Sequence, residues 1–285
     1  MNGKVSVKKI IEEELARDEI KLPLAENVAV NLGGLLHKDE INIAELSALV
    51  EKDPSLTAKV LNLSNSPLYA GLVKIKTVEQ AITRLGIKAV KNFLMTISFR
   101  DVFRGGGQYL RSQFTINWRH SLACGICARR VAENSSLAFV SEEAYLLGLL
   151  HDIGTISILN TLARLKKKKD SGFELHDELV LEIIYTFHSS IGAKILRKLN
   201  FDDKFCSIVE THHDPESFPD QDDPLLNILQ VANHLLQKIG ISLKPDPNIS
   251  IVGLPGTGRL GLDPLFISVM EVDLEDMLSN TEKIL

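Results

Sequence analysis

Residues 141–154 have the sequence SEEAYLLGLLHDIG, and this stretch decides the fold class. Its two glutamates suit the first turn of a helix, and the leucines that follow predict a helix that continues to His151. Gly154 is expected to break that helix. The pattern therefore places the imidazole of His151 and the carboxylate of Asp152 side by side at a helix end.

The same helical period extends over most of the chain. Asn42, Asp53 and Thr77 each stand where a side chain can cap the first backbone N–H groups of a helix, and Pro54 suits a first helical position. Alternation of apolar and polar residues is scarce, so the predicted class is all-α. The predicted helices cover residues 6–17, 24–37, 43–50, 78–85, 87–103, 113–133, 141–151, 156–165, 174–187, 189–199, 202–212, 224–239 and 266–279, and a further helix begins at Pro54.

The composition is that of an ordinary globular protein. The 285 residues carry a formal net charge of −5, and 45% of them are hydrophobic. The mild negative charge argues against a protein that coats nucleic acid, and no apolar run reaches the roughly 18–20 residues of a membrane span. Three cysteines are too few for a disulfide framework. We therefore expect a cytoplasmic protein without nucleic-acid or membrane partners.

Glycines and prolines divide the predicted helices into three parts. Gly105 to Gly107 predict a flexible joint, although three glycines equally suit a mobile loop within one domain. Prolines and glycines crowd residues 242–263, and PGTGR at 255–259 lacks the Lys-Ser/Thr pair of a phosphate-binding loop, which favours a flexible loop. We predict a helical subdomain at 1–104, a second one at 108–240, and an irregular segment with a final helix at 241–285.

Histidine is the residue type whose placement indicates chemistry. Five histidines and one aspartate fall on predicted helices or at their ends: His120, His151, Asp152, His188, His212 and His213. Neutral imidazoles suit Fe, Zn or Mn, and a carboxylate can bridge two ions. Two ions ~3.5–4 Å apart can hold a phosphate and activate a water molecule. The alternative is that these histidines are helix-end residues satisfied by hydrogen bonds alone.

Cys124 and Cys127 have the spacing of a thioredoxin-type redox pair. They fall in the middle of a predicted helix rather than at a strand-to-helix turn, so two small buried cysteines are the better interpretation. Cys124 follows His120 by four residues and shares its helix face, which would allow it to line the same cavity.

The order of these residues resembles the HD superfamily of metal-dependent phosphohydrolases and, more closely, the HDOD domain, the HD-related output domain of bacterial signalling proteins. The resemblance spans residues 20–240 and is carried by DPSLTAKVL at 53–61, LSNS at 63–66, TVEQAI at 77–82, LGIKAV at 85–90, WRHS at 118–121 and GLLHDIG at 148–154. It implies an HDOD-type helical bundle with an HD-like core at 108–240 and a regulatory role. It also implies that the five histidines and Asp152 occupy metal-ligand positions.

Three departures from the HD pattern bear on function. HD hydrolases have an aspartate in a late helix where this chain has Asn233, a neutral side chain and a poor metal ligand. Catalytic HD-GYP proteins have a lysine after the HDIG motif, where this chain has Thr155. They also have a Gly-Tyr-Pro motif after the paired histidines, where residues 214–219 are DPESFP. Hydrolysis of cyclic dinucleotides by that route is therefore not expected.

Two functional hypotheses follow from the resemblance and the departures. The first is a non-hydrolytic signal-transduction module that still binds one or two divalent ions (Fe, Mn or Zn). It would respond to a signalling protein partner or a small-molecule ligand. The second is a metal-dependent phosphohydrolase that acts on a nucleotide or phosphoester, with the six residues holding the ions while a water molecule attacks phosphorus.

Overall fold

The computed structural model describes residue 13 and residues 41–66, 69, 71–103, 110–167 and 175–285. Within these ranges the chain is helical and contains no strand, as the sequence predicts. The α-helices are α1 (Ile43–Val50), α2 (Pro54–Ser64), α3 (Val78–Leu85), α4 (Ile87–Phe103), α5 (Arg111–Glu133), α6 (Ser141–Leu150), α7 (Ile153–Lys167), α8 (Asp177–Lys198), α9 (Asp203–Thr211), α10 (Pro224–Lys238), α11 (Pro255–Arg259) and α12 (Pro264–Glu282). The helices predicted at 6–17 and 24–37 and the joint at Gly105 to Gly107 lie outside the described residues.

Side-chain caps set the beginnings of the first helices. The Asn42 carboxamide accepts a hydrogen bond from the Glu45 backbone N–H (2.9 Å), and the Asp53 carboxylate accepts one from that of Ser55 (2.7 Å). The Thr77 hydroxyl accepts one from the Gln80 backbone N–H. These bonds satisfy N–H groups that have no partner within the helix, so local sequence is enough to place these helix starts.

Three predictions about where helices lie are wrong. A single helix, α8, runs through His188, where two helices were expected. Gly154 lies in the first turn of α7 and does not separate two helices. Residues Pro255–Arg259 form α11 and not a flexible loop, because Pro255 suits a helix start and the Thr257 hydroxyl donates to the Ile251 carbonyl (2.6 Å).

Two glycine contacts bring the central helices unusually close together. A Cβ atom at Gly148 in α6 would lie 2.6 Å from the Cys124 carbonyl oxygen of α5. A Cβ atom at Gly154 in α7 would lie 1.9 Å from the His188 carbonyl oxygen of α8. Only glycine fits at such separations, so the motif GLLHDIG holds its histidine and aspartate between α5 and α8.

The remaining helices enclose this centre with one continuous apolar core, which extends from Leu46 to Leu285. Helix α4 joins the first helices to α6, because the Asn92 carboxamide donates to the carbonyl and carboxylate of Glu142 (2.8 and 2.7 Å). Helix α12 packs against α5, where Arg119 pairs with Glu275. The division at 104–108 and 240–241 stays a prediction.

Two helical stretches of the described chain are long and apolar enough to cross a membrane. They cover Ala138–Lys166 and Asp177–Lys198. In their most apolar windows 72% and 56% of the residues are buried inside the fold, which is the burial of core helices. Length and apolarity are therefore weak evidence for a span here.

Candidate metal centre

The structure brings together all six residues that the sequence selects. Helix α5 contributes one histidine, the α6–α7 junction contributes His151 and Asp152, α8 contributes one, and the end of α9 contributes the adjacent pair. The Asp152 carboxylate lies at the middle of this cluster. Its oxygens are 3.4–3.6 Å from the Nε2 atoms of four histidines, His120, His151, His188 and His212.

Backbone carbonyls fix the protonation of the same four rings. Each Nδ1 atom lies 2.6–2.8 Å from a carbonyl oxygen: His120 from Ile241, His151 from Gly148, His188 from Ile184 and His212 from Val209. A carbonyl only accepts, so each Nδ1 carries the proton. The Nε2 atom of each neutral ring therefore presents a lone pair, and this lone pair is the metal-binding group.

Two pairs of these Nε2 atoms lie close together with no proton to share. The Nε2 atoms of His120 and His151 are 3.3 Å apart, and those of His188 and His212 are also 3.3 Å apart. No proton remains to lie between two such atoms while both rings are neutral. The Asp152 Oδ1 atom is buried and also lacks a hydrogen-bond partner among the described residues. His213 differs from the other four, because its Nε2 atom lies 2.9 Å from the His188 Nε2 atom and can donate a hydrogen bond to it when no metal is bound. The remaining Nε2 atoms and the Asp152 Oδ1 atom are acceptors that a cation would satisfy.

Burial favours the neutral form of three of the imidazoles. It lowers the pKa of His151 from its usual 6.5 to about 3, and it lowers the pKa of His188 as well. Burial and the nearby imidazoles lower the pKa of His213 to about 3. For Asp152, burial favours the neutral acid, but the surrounding histidines outweigh it and hold the pKa well below its usual range. The Asp152 anion thus lies beside three imidazoles whose neutral form is favoured, which is the ionisation state that metal binding requires of its ligands.

The donor atoms form two groups that share the aspartate. His120, His151 and Asp152 make the first group, and Asp152, His188, His212 and His213 make the second. Within each group the donor atoms lie within 4.8 Å of one another. Nitrogen donors with a bridging carboxylate suit Fe, Zn or Mn, so these residues fit one ion or two.

A small cavity adjoins this cluster, and one of the three departures from the HD pattern, Asn233, lies at it. The cavity has a volume of about 20 Å³, and its wall includes Asn233, Gln237, Ser242 and Leu243. Sequence reasoning missed the last three and the Ile241 carbonyl that holds His120, because nothing in the irregular segment after α10 marks it as part of the site. Thr155 is fully buried, and its hydroxyl has no hydrogen-bond partner in the described chain.

The other histidines and the cysteines lie apart from the two donor groups. His234 donates from Nδ1 to the Gln230 carbonyl (2.7 Å), and His176 precedes α8. His37 is outside the described residues. Cys124 and Cys127 are buried in mid-helix, as predicted, but Cys124 neither joins a donor group nor lines the cavity.

An all-helical fold that gathers these histidines around an HDIG aspartate defines a protein of HD-type architecture. The sequence profile of the HDOD domain matches residues 22–215, and the chain belongs to the HDOD family. This confirms the family and the fold class that the motifs predicted.

Two curated relatives are distant in sequence and longer than this chain. An uncharacterized protein of Treponema pallidum (strain Nichols) is 20% identical over 70% of this chain and 39% of its own length. The protein YuxH of Bacillus subtilis (strain 168) is 28% identical over 45% of this chain and 28% of its own length. The chain thus spans well under half of these relatives.

Solved structures share the fold over nearly the whole chain. An HDOD domain protein of unknown function from Geobacter sulfurreducens has a TM-score of 0.75 at 21% identity, covering 95% of this chain and 97% of that one. A candidate metal-dependent phosphohydrolase from Shewanella amazonensis SB2B has a TM-score of 0.72 at 16% identity, covering 100% and 99%. A candidate signal transduction protein from Marinobacter aquaeolei VT8 has a TM-score of 0.63 at 19% identity, covering 94% and 60%.

Proposed function

We propose that this chain is a non-hydrolytic HDOD signalling module whose HD-derived centre binds divalent metal. The observation that carries the proposal is the set of four Nδ1–H bonds to backbone carbonyls. Those bonds turn four Nε2 lone pairs toward one buried carboxylate. A histidine cluster that served only the core would satisfy each of these Nε2 atoms with a donor, since unpaired buried polar atoms cost about 1–3 kcal/mol each. Only the His188 Nε2 atom has such a donor within reach, the Nε2 atom of His213 (2.9 Å).

The two donor groups indicate which residues would hold the metal. His120 and His151 would hold one ion, His188, His212 and His213 a second, and Asp152 would contact both. When bound, such ions would supply positive charge that offsets the carboxylate and would link four parts of the fold: α5, the α6–α7 junction, α8 and the end of α9. Ligands that are far apart in the sequence would thereby hold α5, α6, α8 and α9 together.

Three features of the same centre support a non-hydrolytic role. The cavity of about 20 Å³ has room for a water molecule, and its wall would have to move before a phosphoester could enter. Asn233 lines that cavity without adding charge, so one carboxylate would face up to four positive charges from two ions. Thr155 is buried at the position of the lysine in catalytic HD-GYP proteins, so no cation stands there to bind phosphate.

The proposed role is regulatory and intracellular. Family membership favours a bacterial signalling protein that acts through a protein partner or a small ligand. Three cysteines, all free and buried, suit a reducing cytoplasm. The buried positions of the two apolar helical stretches fit a protein that does not span a membrane.

Metal analysis tests the proposal with a matched pair of histidines. His188 and His234 both lie in helices and both donate from Nδ1 to the carbonyl four residues earlier at 2.7 Å. We expect one or two Fe, Mn or Zn ions per purified chain, measured by mass spectrometry. His188→Gln should lower the content by at least half, and His234→Gln should not change it. Metal-free protein that gains no thermal stability from Fe, Mn or Zn would contradict the proposal.

The second candidate function, a metal-dependent phosphohydrolase, is favoured by the survival of all six ligand positions. A panel of nucleotides, cyclic dinucleotides and simple phosphoesters should show no turnover with the metal-loaded protein. Turnover that disappears in Asp152→Ala would instead establish the enzyme. A double variant, Asn233→Asp with Thr155→Lys, supplies the missing carboxylate and cation. Turnover by this double variant, with none by the wild-type protein, would show that Asn233 and Thr155 account for the absence of hydrolysis.

A further inference from the structure

The hydrogen bond that holds the His120 ring differs from those of the other three rings with a carbonyl partner. His151, His188 and His212 each donate from Nδ1 to a carbonyl three or four residues earlier in the chain. His120 donates instead to the Ile241 carbonyl (2.7 Å), which lies 121 residues later. The direction of the His120 lone pair therefore depends on a segment that contributes no ligand to either donor group.

The Ile241 carbonyl is placed by the turn that ends α10. Gly240 follows this helix in the left-handed region of backbone conformation (φ +87°). Its N–H donates to the Gln237 carbonyl (3.3 Å), and the Ile241 N–H donates to the Leu236 carbonyl (2.9 Å). Such a pair of bonds ends a helix by reversing the chain at the left-handed residue. The reversal at Gly240 brings the next carbonyl to His120 of α5.

The same kind of turn ends α8, with asparagine in place of glycine. Asn200 has a φ of +57°, its N–H donates to the Arg197 carbonyl (3.0 Å), and the Phe201 N–H donates to the Leu196 carbonyl (3.0 Å). Asparagine tolerates this conformation, whereas β-branched residues strongly disfavour it. The Phe201 carbonyl faces the Cys206 Sγ atom (3.7 Å) instead of a ligand histidine. The two turns are therefore matched in hydrogen bonding and differ in what the following carbonyl contacts.

The residues after the α10 turn form one wall of the metal centre. Ser242 and Leu243 line the small cavity beside the ligands. The Lys244 ammonium lies 5.6 Å from the centre of the Tyr185 ring, which lines the same cavity. The Asp246 N–H donates to a carbonyl of α10 (3.0 Å). The segment is thus attached to α10 at both of its ends and lies against the centre between them.

We propose that residues 240–246, which we call the strap, hold His120 in position for metal and become more ordered when metal is bound. This inference rests on the proposed metal binding. Ile241 is a positioning residue, because its carbonyl keeps the proton on Nδ1 of His120 and leaves Nε2 free to bind a cation. The effect is reciprocal, since a contact that raises metal affinity is stabilised by the metal to the same extent. The strap therefore gives the signalling module a surface whose order depends on metal occupancy.

Valine at the two left-handed turns tests the positioning role. A Cβ atom at residue 240 would have no neighbour within 4 Å, so Gly240→Val acts mainly through backbone strain, and Asn200→Val puts the same strain at the end of α8. Mn²⁺ binding to metal-depleted protein is measured by titration calorimetry, and the site that includes His120 is the one lost in His120→Gln. Gly240→Val should weaken that site at least about tenfold, the low end for partners of metal ligands.

The control variants separate positioning from general loss of stability. Asn200→Val should lose as much thermal stability as Gly240→Val and keep its Mn²⁺ affinity within about twofold of wild type. Gly240→Asn should also keep that affinity, because Asn200 adopts the same conformation in this chain. Equal losses of affinity in the two valine variants, or unchanged affinity in Gly240→Val, would refute the positioning role.

Hydrogen exchange in the wild-type protein tests the change in order without any variant. Exchange of the Ile241 and Asp246 amides should slow at least about fivefold when Mn²⁺ is added, while the Phe201 amide, at the matched position of the α8 turn, should change by less than about twofold. Wild-type protein that binds no Mn²⁺ would refute the proposed function itself. Protein that binds Mn²⁺ with no slowing of exchange in the strap would refute the strap alone.

Discussion

The metal centre and the chamber lined by Phe93, Ile126, Arg129, Arg130 and Met277 are two hollows of one helical fold, and they differ in whether their charged and polar groups have partners. At the centre, the Nε2 lone pairs of His120, His151 and His212 and the Asp152 Oδ1 atom converge beside about 20 Å³ of space, and no donor among the described residues satisfies them. At the chamber, which has a volume of about 180 Å³, the charged groups are paired with each other, Arg129 with Glu142 and Arg130 with Glu133. The comparison shows that the partners of the polar groups, and not the size of the cavity, indicate a ligand. Acceptors without donors favour a cation.

The two hollows also differ in how the sequence encodes them. Some ligands of the centre lie in the short HDIG motif and the others lie far from it along the chain, at positions that the resemblance predicts. The chamber depends on Arg129 and Arg130, which have no motif and become neighbours of Met277 only through tertiary packing. A substitution at a close helix contact should therefore reduce metal binding at the centre. The stability of the helices around the chamber should instead depend on local ion pairs, such as that of Arg129 with Glu142.

The largest expected effect on stability comes from a substitution where α7 and α8 approach each other closely. Gly154→Ala would place a methyl group 1.9 Å from the His188 carbonyl oxygen, so the helices must separate and the ligands of the centre must move. We expect a loss of unfolding free energy above about 3 kcal/mol in urea titrations, together with loss of bound metal. Gly258→Ala is the control, because a Cβ atom there has no neighbour within 4 Å. A Gly154→Ala protein of wild-type stability would refute the close packing.

The next effect is acid sensitivity of the metal-free protein. His151 has a pKa of about 3 in the fold against 6.5 for a free side chain, so the unfolded chain binds more protons between these values. Stability therefore rises with pH across this window and falls as the pH drops below 6.5. The depressed pKa of Asp152 acts in the same direction at lower pH.

Acidification from pH 7 to pH 5 should cost about 2 kcal/mol through His151 alone. The measurement is a series of urea titrations at pH values between 5 and 7, with metal removed. His151→Gln should flatten the pH dependence by that amount, and His234→Gln should keep the wild-type slope. An identical slope in the wild-type and His151→Gln proteins would mean that burial of this imidazole has no energetic consequence.

The smallest effect concerns the ion pair beside the chamber. Glu142 accepts hydrogen bonds from Asn92 and from Arg129, and it joins α4 to α5 and α6. Glu142→Gln should lower the unfolding free energy by about 1 kcal/mol, because a partly buried charged acceptor is lost. Glu210→Gln removes the acceptor of the exposed Arg197 pair and should change stability by less than about 0.5 kcal/mol. Equal losses in the two variants would show that the Glu142 network is no stronger than a surface pair.

The parts of the fold that sequence predicts are those with local causes. Asn42, Asp53 and Thr77 start helices through bonds to residues two or three positions away, and the helical period of the leucines is visible directly. The continuous α8 was missed because its serines after His188 suit a helix end as well as a helix middle. The helical turn at Pro255 was missed because it depends on burial of Gly256 and Thr257 against α10.

The candidate site likewise combines features that the sequence predicts with features that it does not. The histidine positions follow from motif and spacing, but the direction of each ring does not. The proton on each Nδ1 depends on a carbonyl of the preceding turn, or, for His120, on Ile241 more than a hundred residues away. The small volume of the cavity depends on Ser242 and Leu243, which come from a segment without any recognisable pattern.

An anomalous scattering experiment on crystals grown with Mn²⁺ tests the central claim most directly. The lone pairs of His120, His151, His188 and His212 should bring one or two anomalous peaks into coordination contact with the Asp152 carboxylate. The His188→Gln crystals should lose the peak beside that residue. Well-ordered crystals of the folded protein with no anomalous peak at Asp152 would contradict the account, since the convergent lone pairs would then serve the fold and not a metal.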